Sequence, residues 1–168
     1  MYGILIILII TITSFLKQRL RDQYVQNWYE CINSQSKLEY YCKFKNCFKY
    51  EKYLDVVDNA KYRIALSRLR LCSHSLEIES GRYNNIDRTD RICKLCNMNV
   101  VESEFHFVLC CPLYTELRRK YNMPCAWSTI NKFVNIMSSN NVKCIRNLAK
   151  YVHFAMLKRS EALNNVAS

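Results

Sequence analysis

Apolar residues recur every three or four positions along much of the chain, a pattern that predicts amphipathic helices. One helix is predicted from Phe15 to Ile32, and its apolar stripe consists of Leu16, Leu20, Tyr24 and Trp28, widened by Val25 and Ile32. Another is predicted from Val142 to Leu163, with a stripe of Ile145, Leu148, Ala149, Val152 and Met156. The chain contains only two glycines and two prolines to interrupt such patterns, so we expect a mainly α fold.

Two further helical stretches are predicted between these. From Lys37 to Val57 aromatic residues alternate with lysines, and at helical spacing such residues more often form a core beside lysine stems than a surface that stacks bases. The next helix should start near Asp58 or Asn59, either of which can cap it. It would continue through Ile64, Ala65, Arg68 and Leu71. After Cys72, short polar residues and Gly81 predict an interruption.

The first 16 residues are uncharged and rich in isoleucine and leucine, and Lys17, Arg19 and Arg21 follow directly. As a helix they would span about 24 Å, short of the roughly 30 Å hydrocarbon core of a bilayer. A secretory signal would carry a basic residue before the apolar run and small residues after it, and neither is present. We expect a buried or poorly ordered helix, with membrane association through residues 1–16 as the alternative.

Positive charge is concentrated at the two ends of the chain. The 168 residues carry a formal net charge of +11, distributed as +6 over residues 17–70, zero over 71–122 and +5 over 123–168. A long polyanion suits such a surplus, although solvated helix faces would produce the same pattern. The predicted phosphate contacts are Lys45, Lys49 and Lys52, which recur as a single helical stripe, together with Arg63, Arg68 and Arg70.

The ten cysteines make up about 6% of the chain, below the roughly 8–10% of small disulfide scaffolds. Cys93 and Cys96 form a C-x2-C pair and Cys110 and Cys111 are adjacent, spacings that favour metal binding over disulfides. We therefore expect a reducing compartment, nuclear or cytoplasmic. The cysteines predicted to fill the core are Cys31, Cys42, Cys47, Cys72, Cys125 and Cys144.

The segment from Arg91 to Tyr114, the Cys/His segment, contains a metal-ligand pattern, C-x2-C-x9-H-x4-C. Its four candidate ligands are Cys93, Cys96, His106 and Cys111. Two cysteines two residues apart can wrap their backbone around one ion, and the later ligands would come from a helix that Pro112 ends. Three thiolates and an imidazole form a closed tetrahedral set of the kind that structural Zn²⁺ prefers. Spacing does not decide the fourth ligand, because Cys110 lies four residues after His106 on the same predicted helix face.

These residues resemble a known family. The run from Leu71 to Tyr83 (LCSHSLEIESGRY), then RICKLC from Arg91, ESEFHF from Glu102 and CPLY from Cys111 are similar to the zinc-binding region that follows the polymerase domain in reverse transcriptases of non-long-terminal-repeat retrotransposons. The resemblance covers roughly residues 15–121. It implies a helical segment around a zinc knuckle that assists nucleic-acid binding without catalytic residues of its own. Because the family places its last cysteine directly before a proline, the resemblance selects Cys111 over Cys110.

Catalytic carboxylates are missing from the sequence. Reverse transcription needs clustered carboxylates for two metal ions, and the nearest match, Tyr53-Leu-Asp-Val, supplies one. A nuclease encoded by a mobile element would show a Pro-Asp pair with a later Asp after the Cys/His segment, and this chain has none. After Glu116 the only acidic residue is Glu161. We therefore expect no enzymatic activity from this chain.

Taken together, these patterns predict an irregular helical domain built around a small CCHC zinc knuckle that can include a short β-hairpin. The predicted divisions are an apolar head (1–14), a basic helical region (15–71), a zinc-binding segment (72–122) and a basic helical tail (123–168). The predicted function is non-catalytic, zinc-dependent binding of RNA or DNA. The alternative is a zinc-stabilised helical protein-interaction or relict domain, anchored to a membrane by its apolar head.

Overall fold

The structure is a computed structural model that describes residues 2–124 and 128–167, with side chains for 6–124 and 128–165. Within these ranges the chain is mostly helical and contains no β-strand, so the expectation of a mainly α fold is confirmed. Cys125, one of the cysteines predicted to fill the core, lies outside the described residues.

The α-helices of the described chain vary widely in length. They are α1 (Tyr2–Ser34), α2 (Glu39–Phe44), α3 (Tyr53–Val56), α4 (Ala60–Arg70), α5 (Glu77–Tyr83), α6 (Thr115–Lys120), α7 (Ile130–Met137) and α8 (Val142–Ala167). Short 3₁₀ turns span Ser36–Leu38, Arg88–Asp90 and Pro112–Tyr114, and a π-helical turn spans His106–Cys110.

Two compact units make up the chain, Met1–Glu39 and Tyr40–Ser168. The first consists of α1 and the 3₁₀ turn after it. Helix α1 continues without a break from residue 14 to residue 15, which is the division predicted between the apolar head and the basic helical region. Its apolar side chains from Ile6 to Leu20 are largely exposed within this structure. None of the described helices combines the length and the apolar character that crossing a membrane requires.

The core of the second unit forms where α4 packs on α8. Leu66 and Leu69 of α4 are 1% exposed, and they belong to the same core as a row of α8 side chains. That row contains the buried residues Ile145, Leu148, Ala149, Val152 and Ala155. The α8 helix and the buried positions of its first four stripe residues are therefore confirmed, while Met156 is half-buried beside them.

Both ends of α4 are closed by local hydrogen bonds. The Asn59 side chain accepts a hydrogen bond from the Lys61 amide at 2.9 Å, so the predicted cap is confirmed and Asn59 supplies it. At the other end Cys72 adopts a left-handed backbone conformation with φ of 51°, and the Ser73 amide donates to the Arg68 carbonyl at 2.8 Å. This turn satisfies a terminal carbonyl and redirects the chain toward the Cys/His segment.

The stretch from residue 37 to 57 is not one helix, so the prediction of a continuous lysine stripe there is wrong. Helix α2 ends at Phe44 and α3 begins at Tyr53, with irregular chain between them. Residues 46–48 are poor helix formers. A contact with Arg70 of α4 orders this stretch in place of helical hydrogen bonds. The Arg70 guanidinium stacks over the rings of both Phe44 and Tyr53, 4.6 and 5.1 Å from their centroids.

The cysteines outside the Cys/His segment correct another expectation. Cys72 is buried as predicted, but Cys42 and Cys47 are only partly buried and Cys31 and Cys144 are exposed. A thiol on an amphipathic helix tolerates either face, so its residue type alone does not predict burial.

Candidate metal centre

The loop that carries Cys93 and Cys96 is closed by a short antiparallel pairing. Ile92 and Val101 form an isolated β-bridge. The Cys93 amide donates to the Val100 carbonyl at 2.9 Å, and the Glu102 amide donates to the Arg91 carbonyl at 2.9 Å. The pairing is too short to form strands, but it fixes the two ends of the loop side by side.

The other two donors flank the π-helical turn. The Cys111 amide donates to the His106 carbonyl at 2.8 Å, which is the i to i+5 bond that defines such a turn. In an α-helix, a residue five positions on would lie about 140° around the axis from His106. The wider turn returns Cys111 to the side of His106, and Pro112 then ends the segment.

The four predicted donors converge on one point. One potential ligand atom from each of Cys93, Cys96, His106 and Cys111 lies within 4.8 Å of all the others, and the cluster could hold a metal ion. Around Zn²⁺, bond lengths of 2.0–2.3 Å give donor–donor distances of roughly 3.5–3.8 Å. The Cys96 Sγ to His106 Nε2 distance is already 3.5 Å. The donor set therefore fits a tetrahedral ion after a small contraction.

The thiols of Cys93 and Cys111 differ in their pKa values. A hydrogen bond from Cys93 to Cys111, together with burial, raises the pKa of Cys93 to about 12. The same hydrogen bond lowers the pKa of Cys111 below its usual range. Cys111 is thus the first of the pair to become a thiolate, which is the form that binds a metal.

Cys110 is not part of the cluster. Its thiol is half-buried, and burial is the main cause that raises its pKa. Cys111 is fully buried, and its carbonyl accepts a hydrogen bond from Arg118 Nη2 at 2.6 Å. The structure thus places Cys111, and not its neighbour, with the other three donors.

A buried ion cluster connects the Cys/His segment to α8. Arg159 Nη2 lies 2.6 Å from Glu102 Oε2 and 3.3 Å from Glu77 Oε1, and the exposed fractions of the three residues are 3%, 1% and 8%. Tyr151, also on α8, donates its hydroxyl hydrogen to the Phe107 carbonyl at 2.7 Å. These contacts hold the turn that carries His106 against the core.

A second buried pair supports the same turn. His74 Nε2 lies 2.9 Å from Glu104 Oε1, and both side chains are almost fully buried. Ser103 Oγ accepts a hydrogen bond from the His106 amide at 3.2 Å. His74 is therefore a structural partner of Glu104 and not a fifth donor in the cluster.

The six basic residues predicted to contact phosphate have different surroundings. Lys45 and Arg70 are buried and share one carboxylate, with Lys45 Nζ 2.6 Å from Glu51 Oε1 and Arg70 Nη2 2.9 Å from Glu51 Oε2. Arg70 also donates to the Met137 carbonyl. Their charges are therefore used inside the fold.

The other four predicted contacts are more accessible. Lys49 and Lys52 are exposed, and Lys52 donates to the Asn140 carbonyl at 2.8 Å. Arg63 is half-buried and donates to the Val57 carbonyl at 2.8 Å. Arg68 is exposed on α4, with no acidic partner among the described residues. Four of the six predicted residues, Lys45, Lys49, Lys52 and Arg70, line one groove, whereas Arg63 and Arg68 lie outside it.

Sequence patterns missed the residues that brace the cluster. Arg159 lies 57 residues from Glu102 and 82 from Glu77, and no local spacing links them. Glu102 and Glu104 lie just before His106 in the sequence, where acidic residues favour the start of a helix and indicate nothing further. Their near-complete burial depends on tertiary partners that a sequence pattern does not reveal.

Comparison of the chain with protein-family models, with curated proteins and with solved structures found no match.

Proposed function

We propose that this protein is a non-catalytic, zinc-stabilised module that binds nucleic acid. The observation that carries the proposal is the convergence of Cys93, Cys96, His106 and Cys111 within a chain of net charge +11. The cluster supplies a structural cross-link, and the surplus of cations supplies attraction to a polyanion.

Zinc is the metal that these donors favour. Thiolates and imidazole are borderline-soft ligands, and three of one with one of the other make a common structural zinc site. With all four positions filled by protein, bound zinc would act as a cross-link between the loop at Cys93 and the turn at His106, in the manner of a CCHC knuckle. Such a site leaves no position for a catalytic water, which supports a non-enzymatic role.

The resemblance to the zinc-binding tail of mobile-element reverse transcriptases remains part of this proposal. It rests on the Cys/His spacing, the Cys-Pro pair at Cys111 and the flanking residues. A reducing nuclear or cytoplasmic compartment fits this origin, since thiolate ligands must stay reduced. RNA and DNA are both candidate partners.

A salt titration distinguishes this function from a protein-interaction or relict domain. Fluorescence anisotropy of labelled RNA and DNA oligonucleotides, with zinc-loaded protein, would give the affinity at several potassium chloride concentrations. We expect log K to fall linearly with log salt, because each phosphate contact releases counterions. Absence of binding at low salt, in protein that retains its zinc and its fold, would support the interaction-domain alternative instead.

A further inference from the structure

A groove of about 400 Å³ runs between α4 and α8, and none of the four Cys/His donors lines it. On α4 its wall is formed by Lys61, Ile64, Ala65 and Arg68, and on α8 by His153, Met156, Leu157 and Ser160. Both sets follow the i, i+3, i+4, i+7 spacing of a single helix face. Each wall therefore has an apolar middle with a polar residue at either end.

The cations of this groove are free to meet a ligand. Lys61 and Arg68 are exposed, and neither has an ion pair within the described chain. No acidic side chain is among the described residues that line the groove, and the exposed Ser73 and Ser75 add hydroxyl donors at its edge. Positive charge without a countercharge is the electrostatic complement of phosphate.

The apolar middle of the groove narrows the choice of ligand. Ile64 is 51% exposed and Leu157 is 47% exposed, so apolar surface remains open between the two cations. Lys61 and Arg68 are seven residues apart, which separates them by roughly 10 Å along the helix. A strand whose bases are unpaired can place phosphates at both cations and a base or sugar against the apolar middle, whereas a duplex keeps its bases stacked inside.

A second groove, of about 270 Å³, is lined by four cations and one carboxylate: Lys45, Lys49, Lys52, Arg70 and Glu51. Two of its cations are paired with Glu51, which itself lines the groove, and Lys52 is bonded to the Asn140 carbonyl. Its two buried cations are tied to that one carboxylate and only two lysines of its lining are exposed, whereas the groove between α4 and α8 has no acidic residue in its described lining.

We propose that the groove between α4 and α8 is the binding site for single-stranded nucleic acid, with Lys61 and Arg68 as its phosphate contacts. This inference rests on the proposed function and gives it a location and a ligand class. Lys61 did not belong to the set predicted from sequence, and Arg68 did. A bound strand would lie along both helices, with its phosphates at the two cations and its bases over Ile64 and Leu157.

The test uses the full zinc-loaded chain and a fluorescein-labelled oligothymidylate, with a duplex of equal length as comparison. The Lys61→Gln/Arg68→Gln variant should flatten the slope of log K against log salt by about 1.4, which is 0.7 for each lost single-strand contact. A matched variant, Arg119→Gln/Lys143→Gln, removes two exposed charges outside the groove and should leave the slope unchanged.

A neutral obstruction provides an independent check. Ser160 is exposed at the groove wall, and Ser160→Leu, which adds bulk without an aromatic face, should weaken single-strand binding about tenfold, equivalent to losing one stacked base. Zinc content and the melting temperature should be those of the wild type in every variant. If the wild type binds with a steep slope but both groove variants behave like it, or if duplex binds better than single strand, the groove assignment is wrong. If the wild type binds no nucleic acid, the proposed function fails and the groove assignment with it.

Discussion

Cys110 and Cys111 are adjacent, but only Cys111 joins the donor cluster, because the backbone there forms a π-helical turn. Residue spacing in an α-helix would place Cys110 on the His106 face, but the π-helical turn returns Cys111 to that side. A π-turn is hard to anticipate from sequence, since it differs from an α-helix by one residue per bond. At this position the Cys-Pro resemblance anticipated the residue that joins the cluster, whereas helical spacing left the choice open.

Replacing each of these cysteines in turn tests the assignment. Cys111→Ser should weaken metal binding severely, because it removes one of four donors, while Cys110→Ser should bind metal as the wild type does. Titration with Co²⁺, whose thiolate absorption reports sulfur ligands, measures both variants against the wild type. Equal loss in the two variants, or loss in Cys110→Ser alone, would contradict the geometry.

Arg159 is expected to be critical for stability although no sequence motif contains it. Arg159→Leu leaves Glu77 and Glu102 buried without their shared cation, and removal of one partner of a buried ion pair costs about 3–5 kcal/mol. Arg146 pairs with Asp58 at the surface, so Arg146→Leu should cost no more than about 1 kcal/mol. Urea denaturation of the metal-loaded proteins, followed by circular dichroism, compares the two free energies of unfolding. Similar losses in both variants would show that the buried ion cluster of Arg159 stabilises the fold no more than a surface ion pair does.

At the scale of elements, sequence periodicity predicted the helices whose stability is local or whose apolar stripe is long. Helix α4 starts after its Asn59 cap, and α8 buries most of its predicted stripe. Periodicity failed between Phe44 and Tyr53, where Lys45 pairs with Glu51 and Glu51 pairs in turn with Arg70 of α4. A repeat of lysines therefore looked like a stripe although no helix carries it.

The Cys/His segment has few local means of folding. It contains one isolated β-bridge, a loop of turns and one π-helical turn, so its order should depend on the metal. Chelation of the metal should increase amide hydrogen exchange over residues 91–111 much more than over α4. Helix α4 serves as the internal control, because its packing on α8 does not involve the four donors. Unchanged protection of residues 91–111 after complete metal removal would mean that packing alone orders the segment.

At the scale of the whole molecule, a count of basic residues overstates the charge that a partner can meet. The second unit uses Lys45, Arg70 and Arg159 inside the fold, where each is paired with buried or half-buried carboxylates. Sequence correctly gave the surplus of charge, but which cations remain accessible depends on tertiary contacts. The exposed residues Lys61 and Arg68 form one site because α8, which is distant in sequence, supplies the opposite wall of their groove.

We propose that the four donors bind one zinc ion. Native mass spectrometry of the full chain, purified without chelator, measures this most directly, because it reports the identity and the number of bound metals together. We predict one zinc per chain in the wild type and none in a Cys93→Ser/Cys96→Ser variant. A metal-free wild type after growth with added zinc, or full zinc retention in that variant, would show that these four residues are not a zinc site.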